Sequence, residues 1–300
     1  MIDYQVSKVT HLPKDLLDRY YRSEKNMIPF EWRGTMYKPI YHSGNELLVK
    51  SFNAELEGIR LNLRNDELIV SNSLHKFQKE NNYSDFAHSE LVESIDRLSE
   101  FLGINSKLFK LSKLEIGVNT ETEYADEYWN SILHYKNKPF NSMLKGTKAY
   151  GKKIIMEQIS VKSYNKTTEN YLHYGEAIRR NLLRTEIELR GKKQMVVAPN
   201  LESLKSKDVI CKLRTKFLYY FERIIFDELF DLKGIKNQDL ELLFAGKNSD
   251  YWKTFRKVNM ESYKKRKQKY NRLHSERKIE SFNDEIFLQI IQKMDYLINE

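Results

Sequence analysis

Three short segments, "KLEIGVN" (113–119), "ISVKSYNK" (159–166) and "LLRTEIELR" (182–190), alternate apolar and polar residues. A period of two is the pattern of a β-strand, whose successive side chains point to opposite faces. In the first segment Leu114, Ile116 and Val118 share a side, opposite Lys113, Glu115, Gly117 and Asn119. In the second, Ile159, Val161 and Ser163 oppose Ser160, Lys162, Tyr164 and Lys166. In the third, Leu183, Thr185, Ile187 and Leu189 oppose Arg184, Glu186, Glu188 and Arg190. If these strands share a sheet whose apolar face lies on helices, the opposite, wet face gathers carboxylates, lysines and one tyrosine. A solvated face of mixed charge gives the same pattern, so the chemistry of the residues has to decide.

The rest of the chain sorts into two halves. "GIRLNLRNDELIVSNSLHKF" (58–77) reads as two alternating strands around Asn65-Asp66, with His75 on the polar side of the second. "DFAHSELVESIDRLSEFLG" (85–103) reads as an amphipathic helix capped by Asp85 or Ser89 and ended by Gly103, and "YADEYWNSILHY" (124–135) as a second helix. "KIIMEQISVKSYNK" (153–166) contains the strand already described. The first 55 residues read as irregular, with Pro and Gly punctuation in "PFEWRGTMYKPIYHSGN". From about residue 199 the period becomes helical, most clearly in "LRTKFLYYFERIIFDELFDL" (213–232) and "FNDEIFLQIIQKMDYLI" (282–298). The expected fold is α+β: an antiparallel or mixed sheet domain over 1–195 with helices on one face, then an all-helical segment over 196–300.

Composition narrows the setting. The chain is 40% hydrophobic and 12% aromatic, enough for a real core. No apolar run is long enough to cross a bilayer, the start "MIDYQVSKVTHLPKDL" lacks the apolar core of a signal peptide, and Cys211 is the single cysteine. A cytoplasmic protein without disulfides is expected. The net charge is +9, and residues 251–278 hold eleven Lys or Arg against two Glu. The densest part is "YKKRKQKYNR", with Lys264, Lys265, Arg266, Lys267 and Lys269 among Tyr263 and Tyr270 and near Trp252. Cations interleaved with aromatics suit a nucleic-acid track with stacking platforms, although a solvated helix face shares the charge pattern.

A tyrosine among carboxylates and lysines is the inventory of metal-assisted phosphoryl transfer. Carboxylates hold Mg²⁺ or Mn²⁺, the phenol is a nucleophile, and a neighbouring ammonium lowers its pKa from the usual value of about 10. Nineteen tyrosines make a nearby lysine commonplace, and Tyr171 and Tyr174 follow closely; Tyr164 stands out because it shares strand parity with Lys162 and Lys166.

"SKLEIGVN", "VKSYNKTTE" and "LRTEIEL", in this order, resemble the three core strands of rolling-circle replication initiators, in particular plasmid Rep proteins and the gene II type proteins of filamentous phages. Glu115 matches the acid of that family's "R-x-D/E-x-A/G-x-D/N" strand, Tyr164 the nicking tyrosine of "x-Y-x-K-x-x-E", and Glu186, after Arg184, the acid of "L-R-x-E". The resemblance covers about 80 residues closely. It implies a strand-specific nicking and joining endonuclease that forms a 5′-phosphotyrosine at a replication origin, with Lys162 and Lys166 assisting Tyr164.

The implied metal ligands are Glu115 and Glu186, with Glu188 or His75 as a third; the implied DNA contacts are Arg184 and the lysine track. Partners would be single-stranded or origin duplex DNA, a host helicase and a polymerase, with a homo-oligomer compatible. The chain lacks a "GxxxxGK" phosphate loop, so strand separation falls to a partner. The wider superfamily's pair of metal-binding histidines flanking one hydrophobic residue is also missing among the seven histidines. The alternative is a DNA-binding protein that does not cleave.

Overall fold

The computed structural model describes residues 1–300, the side chains of residues 45–47 excepted. In chain order the strands begin with β1 (Ile2–Val9), β2 (Phe30–Trp32), β3 (Thr35–His42), β4 (Asn45–Leu56), β5 (Ile59–Arg64), β6 (Glu67–Ser73) and β7 (Lys110–Glu121). They continue with β8 (Ile132–Tyr135), β9 (Lys138–Pro139), β10 (Asn141–Lys145), β11 (Lys148–Ile155), β12 (Ile159–Asn165), β13 (Leu182–Arg190) and β14 (Ile224–Phe226). Eleven of them form one sheet in the order β10-β11-β12-β13-β7-β1-β6-β5-β4-β3-β2. All its neighbours run antiparallel. β14, β8 and β9 make a second, three-stranded sheet.

The local chemistry of the β5–β6 hairpin is plain. Asn65 and Asp66 sit at φ 47° and 57°, the left-handed pair that a two-residue hairpin turn demands and that these side chains tolerate. Ile59, Leu61, Leu63, Leu68 and Val70 are buried, as alternation requires. The second strand stops at Ser73, whose hydroxyl accepts from the Lys76 N–H at 3.0 Å and starts helix α2 (Leu74–Lys79). His75 is therefore helical. The first 55 residues are also more regular than their punctuation suggests: β1 lies centrally between β7 and β6, and helix α1 (Lys14–Asn26) leads into the β2–β4 edge.

Helix α3 (His88–Leu102) ends at Gly103 in the left-handed conformation, as expected. Its first turn is capped differently: the Ala87 N–H donates to the Glu90 carboxylate at 2.9 Å. Helix α4 (Ala125–Ser131) is shorter than the helical pattern over 124–135. Helix α6 (Lys207–Phe221), which follows α5 (Lys166–Tyr174), is likewise shorter than its pattern. In both cases the apolar residues beyond the helix leave it to pair as strands, Ile224 opposite Tyr135. Tertiary pairing overrides a local period when a short apolar run fits either element.

Residues beyond 196 build two different things. Ile210, Leu213 and Phe217 of α6, and Ile286, Ile290 and Met294 of α10 (Phe282–Asn299), join Leu114, Ile116 and Ile187 in the core under the sheet's apolar face. Between them, α7 (Asn237–Gly246), α8 (Ser249–Val258) and α9 (Met260–Arg277) enclose a smaller core of Phe230, Leu242, Leu243, Trp252, Tyr270 and Leu273. Trp252 and Tyr270, expected as stacking platforms, are both 0% exposed and belong to that core. The Trp252 indole N–H donates to the Gly246 carbonyl at 2.8 Å, and Gly246 carries no side chain because the Tyr270 ring occupies the space. Among the described residues no helix is long and apolar enough to cross a membrane.

Trp252→Ala is expected to destabilise the protein by about 3–5 kcal/mol in denaturant unfolding, the usual cost of emptying a large core position. A platform waiting for a base would lose almost no stability on the same truncation.

Candidate metal and nucleophile site

The pairing of β12, β13 and β7 brings the sequence-expected residues into one patch. Lys162 lies opposite Glu186, Tyr164 opposite Arg184, Glu186 opposite Gly117, and Glu188 opposite Glu115. Counting in twos therefore puts these side chains on one face, as expected. The polar face is not wet, however. Glu115, Glu186, Arg184 and Tyr164 are all buried. The segment around Asn82 covers them, its carbonyl accepting from Arg184 Nη1 at 2.9 Å and from Asn119 Nδ2 at 3.1 Å. Helix α5 packs over β11, β12 and β13 beside them.

Glu115, Glu186 and Asp3 form the one cluster among the described residues in which three metal-ligating side chains bring their ligand atoms within 4.8 Å of one another. Asp3 was not expected. It comes from β1, whose pairing with β7 shifts register between Ile2 and Gln5. A bulge of this kind re-aims a side chain and defeats counting in twos. The shift is flanked by a long-range bond from the Gly117 N–H to the Met1 carbonyl at 2.9 Å.

Two cations stand among the three acids. Arg184 Nη2 donates to Asp3 Oδ2 at 2.6 Å, and its Nε to Glu186 Oε1 at 2.5 Å. Lys162 Nζ reaches Glu186 Oε2 at 2.8 Å and both Glu115 oxygens at 3.1 and 3.2 Å. The glycine at 117 makes this possible: a Cβ there would stand 2.7 Å from Arg184 Nη2 and 3.2 Å from Glu186 Cγ. Glu186 would be pushed up by burial alone, but Lys162 and Arg184 outweigh it and hold the carboxyl well below the ordinary range. Burial, and then the neighbouring Glu186, push Glu115 up to about 8 against the pull of Lys162.

Three carboxyl groups thus share two cations. Hard carboxylate oxygens at this spacing fit a divalent cation such as Mg²⁺ or Mn²⁺.

Tyr164 donates its hydroxyl hydrogen to Glu186 Oε1 at 2.9 Å. The expectation of a lysine-lowered phenol is reversed. Burial, and then Glu186, push its pKa well above the ordinary value, with only Arg184 among the main influences pulling down. The neighbouring lysines are committed elsewhere: Lys162 to the carboxylates, and Lys166, buried at the start of α5, to Glu169 at 2.6 Å. Gly151 lies opposite Tyr164, where a Cβ would collide with the tyrosine's own Cβ and come 2.8 Å from the Ser163 carbonyl.

The other expected residues fall outside this cluster. Glu188 pairs with Lys113 at 2.6 Å and Arg190 at 3.0 Å. His75 stacks on Phe86 with ring centroids 4.8 Å apart and faces Ser84 at 3.3 Å, so neither it nor Glu188 completes the acidic trio. Arg184, expected on DNA, is 2% exposed and spends its donors on Asp3, Glu186, Asn119 and Asn82. Tyr171 and Tyr174 are exposed on α5. On α9, Lys264, Lys265 and Arg266 are exposed; Lys265 meets Glu261 at 3.0 Å and Lys269 meets Asp239 at 2.5 Å.

No protein-family profile and no curated protein sequence matches the chain. Among solved structures, the rolling circle replication initiator protein from Geobacillus stearothermophilus is similar over 79% of this chain and 89% of that one, with a TM-score of 0.42 and 12% identity. Agreement at that level leaves the function to be read from this chain's own side chains.

Burial, reinforced by nearby cations, lowers the His75 pKa to about 2, so the ring is neutral in the fold while the unfolded chain protonates below about 6.5. Stability is thus lost as pH falls through that unfolded value. His75→Gln is expected to reduce the slope of unfolding free energy between pH 6 and 5 by up to about 1.4 kcal/mol per pH unit, measured by urea titration. An unchanged slope would place His75 in contact with solvent.

Proposed function

We propose that the protein is a metal-dependent DNA nicking and joining endonuclease that starts rolling-circle replication, with Tyr164 as nucleophile. One observation carries the reading: the Tyr164 hydroxyl is hydrogen-bonded at 2.9 Å to a carboxylate of the acidic trio. A nucleophile, its base and a candidate cation site thus share Glu186. The three strands that resemble replication initiators are the ones that build this patch.

Asp3, Glu115 and Glu186 would hold the cation, which when bound polarises a phosphodiester oxygen and stabilises the charge developing there. The chain's own residues do the rest. Burial keeps Tyr164 a neutral phenol at rest, so its proton has to leave during attack, and ionised Glu186 is in place to accept it. The phenolic oxygen bonds to phosphorus as the bond to the 3′ oxygen breaks, leaving a 5′-phosphotyrosine; the departing 3′ oxygen takes up a proton from water and becomes a free 3′ hydroxyl. Lys162 holds Glu115 and Glu186 in place beside the reacting phosphate. Lys166 fixes the first turn of α5 through Glu169. The reading requires DNA binding to uncover the phenol. DNA, Mg²⁺ or Mn²⁺, and a host helicase and polymerase are the implied partners, and Lys264, Lys265 and Arg266 are exposed cations for the duplex.

DNA binding without cleavage is the second reading, favoured by the buried phenol and by the ion pairs that already satisfy much of the acidic trio. The two separate cleanly. Incubation with labelled single-stranded origin DNA and Mn²⁺, followed by a denaturing protein gel, is expected to show label on the wild-type chain and none on Tyr164→Phe. Glu186→Gln is expected to slow labelling by about 10²–10⁴-fold, the usual worth of a positioned base. Label persisting on Tyr164→Phe would remove Tyr164 from the chemistry, and no label on any form with DNA binding intact would establish the second reading.

A further inference from the structure

A second cationic site lies outside the acidic trio, at the seam between the small β14-β8-β9 sheet and the helical lobe. A cavity of about 390 Å³ opens there, walled by Lys136, Arg223, Lys267, Tyr270 and Asn271. Glu222 is the acid on its wall; His274, also present, is taken up by Glu228 at 2.7 Å. Lys267 is half-buried and, among the described residues, has no carboxylate partner. Its ammonium lies 4.1 Å from the Trp252 ring centroid and 4.8 Å from that of Tyr270. Desolvation lowers its pKa to about 8, the mark of a charge short of counter-charge. The Tyr270 hydroxyl is buried with no hydrogen-bond partner.

Lys136 adds an independent sign. It heads the β8–β9 turn at φ 46°, a left-handed conformation that costs a lysine about 1–2 kcal/mol and that asparagine adopts more readily. Its neighbour Asn137, at φ 68°, pins the turn to α9 by donating to the Tyr263 hydroxyl at 3.1 Å. The strained turn thus holds a third cation against the wall that carries Lys267.

We propose that this seam binds a phosphate group through Lys136, Arg223 and Lys267, with the Tyr270 hydroxyl and the Asn271 amide as neutral donors. The phosphate is either one from a nucleic-acid backbone or that of a free phosphorylated small molecule. Bound there, it would bridge the main core and the smaller helical core. None of these residues touches the Tyr164 patch, so the site stands or falls separately from the nicking reaction.

Calorimetric titration of the full chain with inorganic pyrophosphate at low salt tests it. One site is expected. Lys267→Met keeps the apolar stem on Trp252 and Tyr270, and Lys136→Asn relieves the turn; each is expected to weaken binding about tenfold or more, as loss of a charged hydrogen bond does. Lys257→Gln, on an exposed position of α8, is expected to leave it unchanged. Lys136→Asn should also melt no lower than wild type, which separates lost charge from lost fold. Absence of binding, or equal weakening by Lys257→Gln, would overturn the site. Displacement of pyrophosphate by a single-stranded oligonucleotide would assign the phosphate to a nucleic-acid backbone; failure to displace it would assign the site to a free ligand.

Discussion

Arg184 carries a permanent charge at 2% exposure, which the interior tolerates only because its donors are spoken for. Asp3 from β1, Glu186 from its own strand, Asn119 from β7 and the Asn82 carbonyl from the covering segment all converge on it. One guanidinium thereby ties the two central strand pairings to the cover that buries them. Breaking such an arrangement by removing one partner typically costs about 3–5 kcal/mol, because a charge is stranded. Gly117 lies directly beside it, where any side chain would fill the guanidinium's space. The candidate site is thus built into the central packing of the sheet, and its geometry is as rigid as the packing itself.

That rigidity sets the electrostatics. Arg184 and Lys162 hold Glu186 ionised, while burial, and then the charge of Glu186, raise Glu115 to about 8. A carboxylate kept charged beside a neutral phenol is the arrangement of a base and its acid.

Much of this was legible from alternation. The three strands are regular, so parity alone put Glu115, Glu186, Lys162 and Tyr164 on one face; the register that joins them is set by the pairing. Three things were not. Asp3 lies in the opening stretch read as irregular, inside a register shift of β1 against β7. His75 follows Ser73, whose capping hydroxyl ends the strand before a pattern of apolar residues shows it. The burial of the polar face comes from Asn82 and α5, contacts separated from the strands in sequence and invisible to any local period. The same limit explains the basic track: its charges were countable, but that Trp252 and Tyr270 point inward depends on how α7, α8 and α9 close on one another.

The proposed cation site of Asp3, Glu115 and Glu186 can be probed by Mn²⁺ binding followed by electron paramagnetic resonance. One bound Mn²⁺ per chain is expected, lost in Asp3→Asn and retained in Glu188→Gln and His75→Gln. Retention in Asp3→Asn together with loss in Glu188→Gln would contradict it and move the site one residue pair along the sheet.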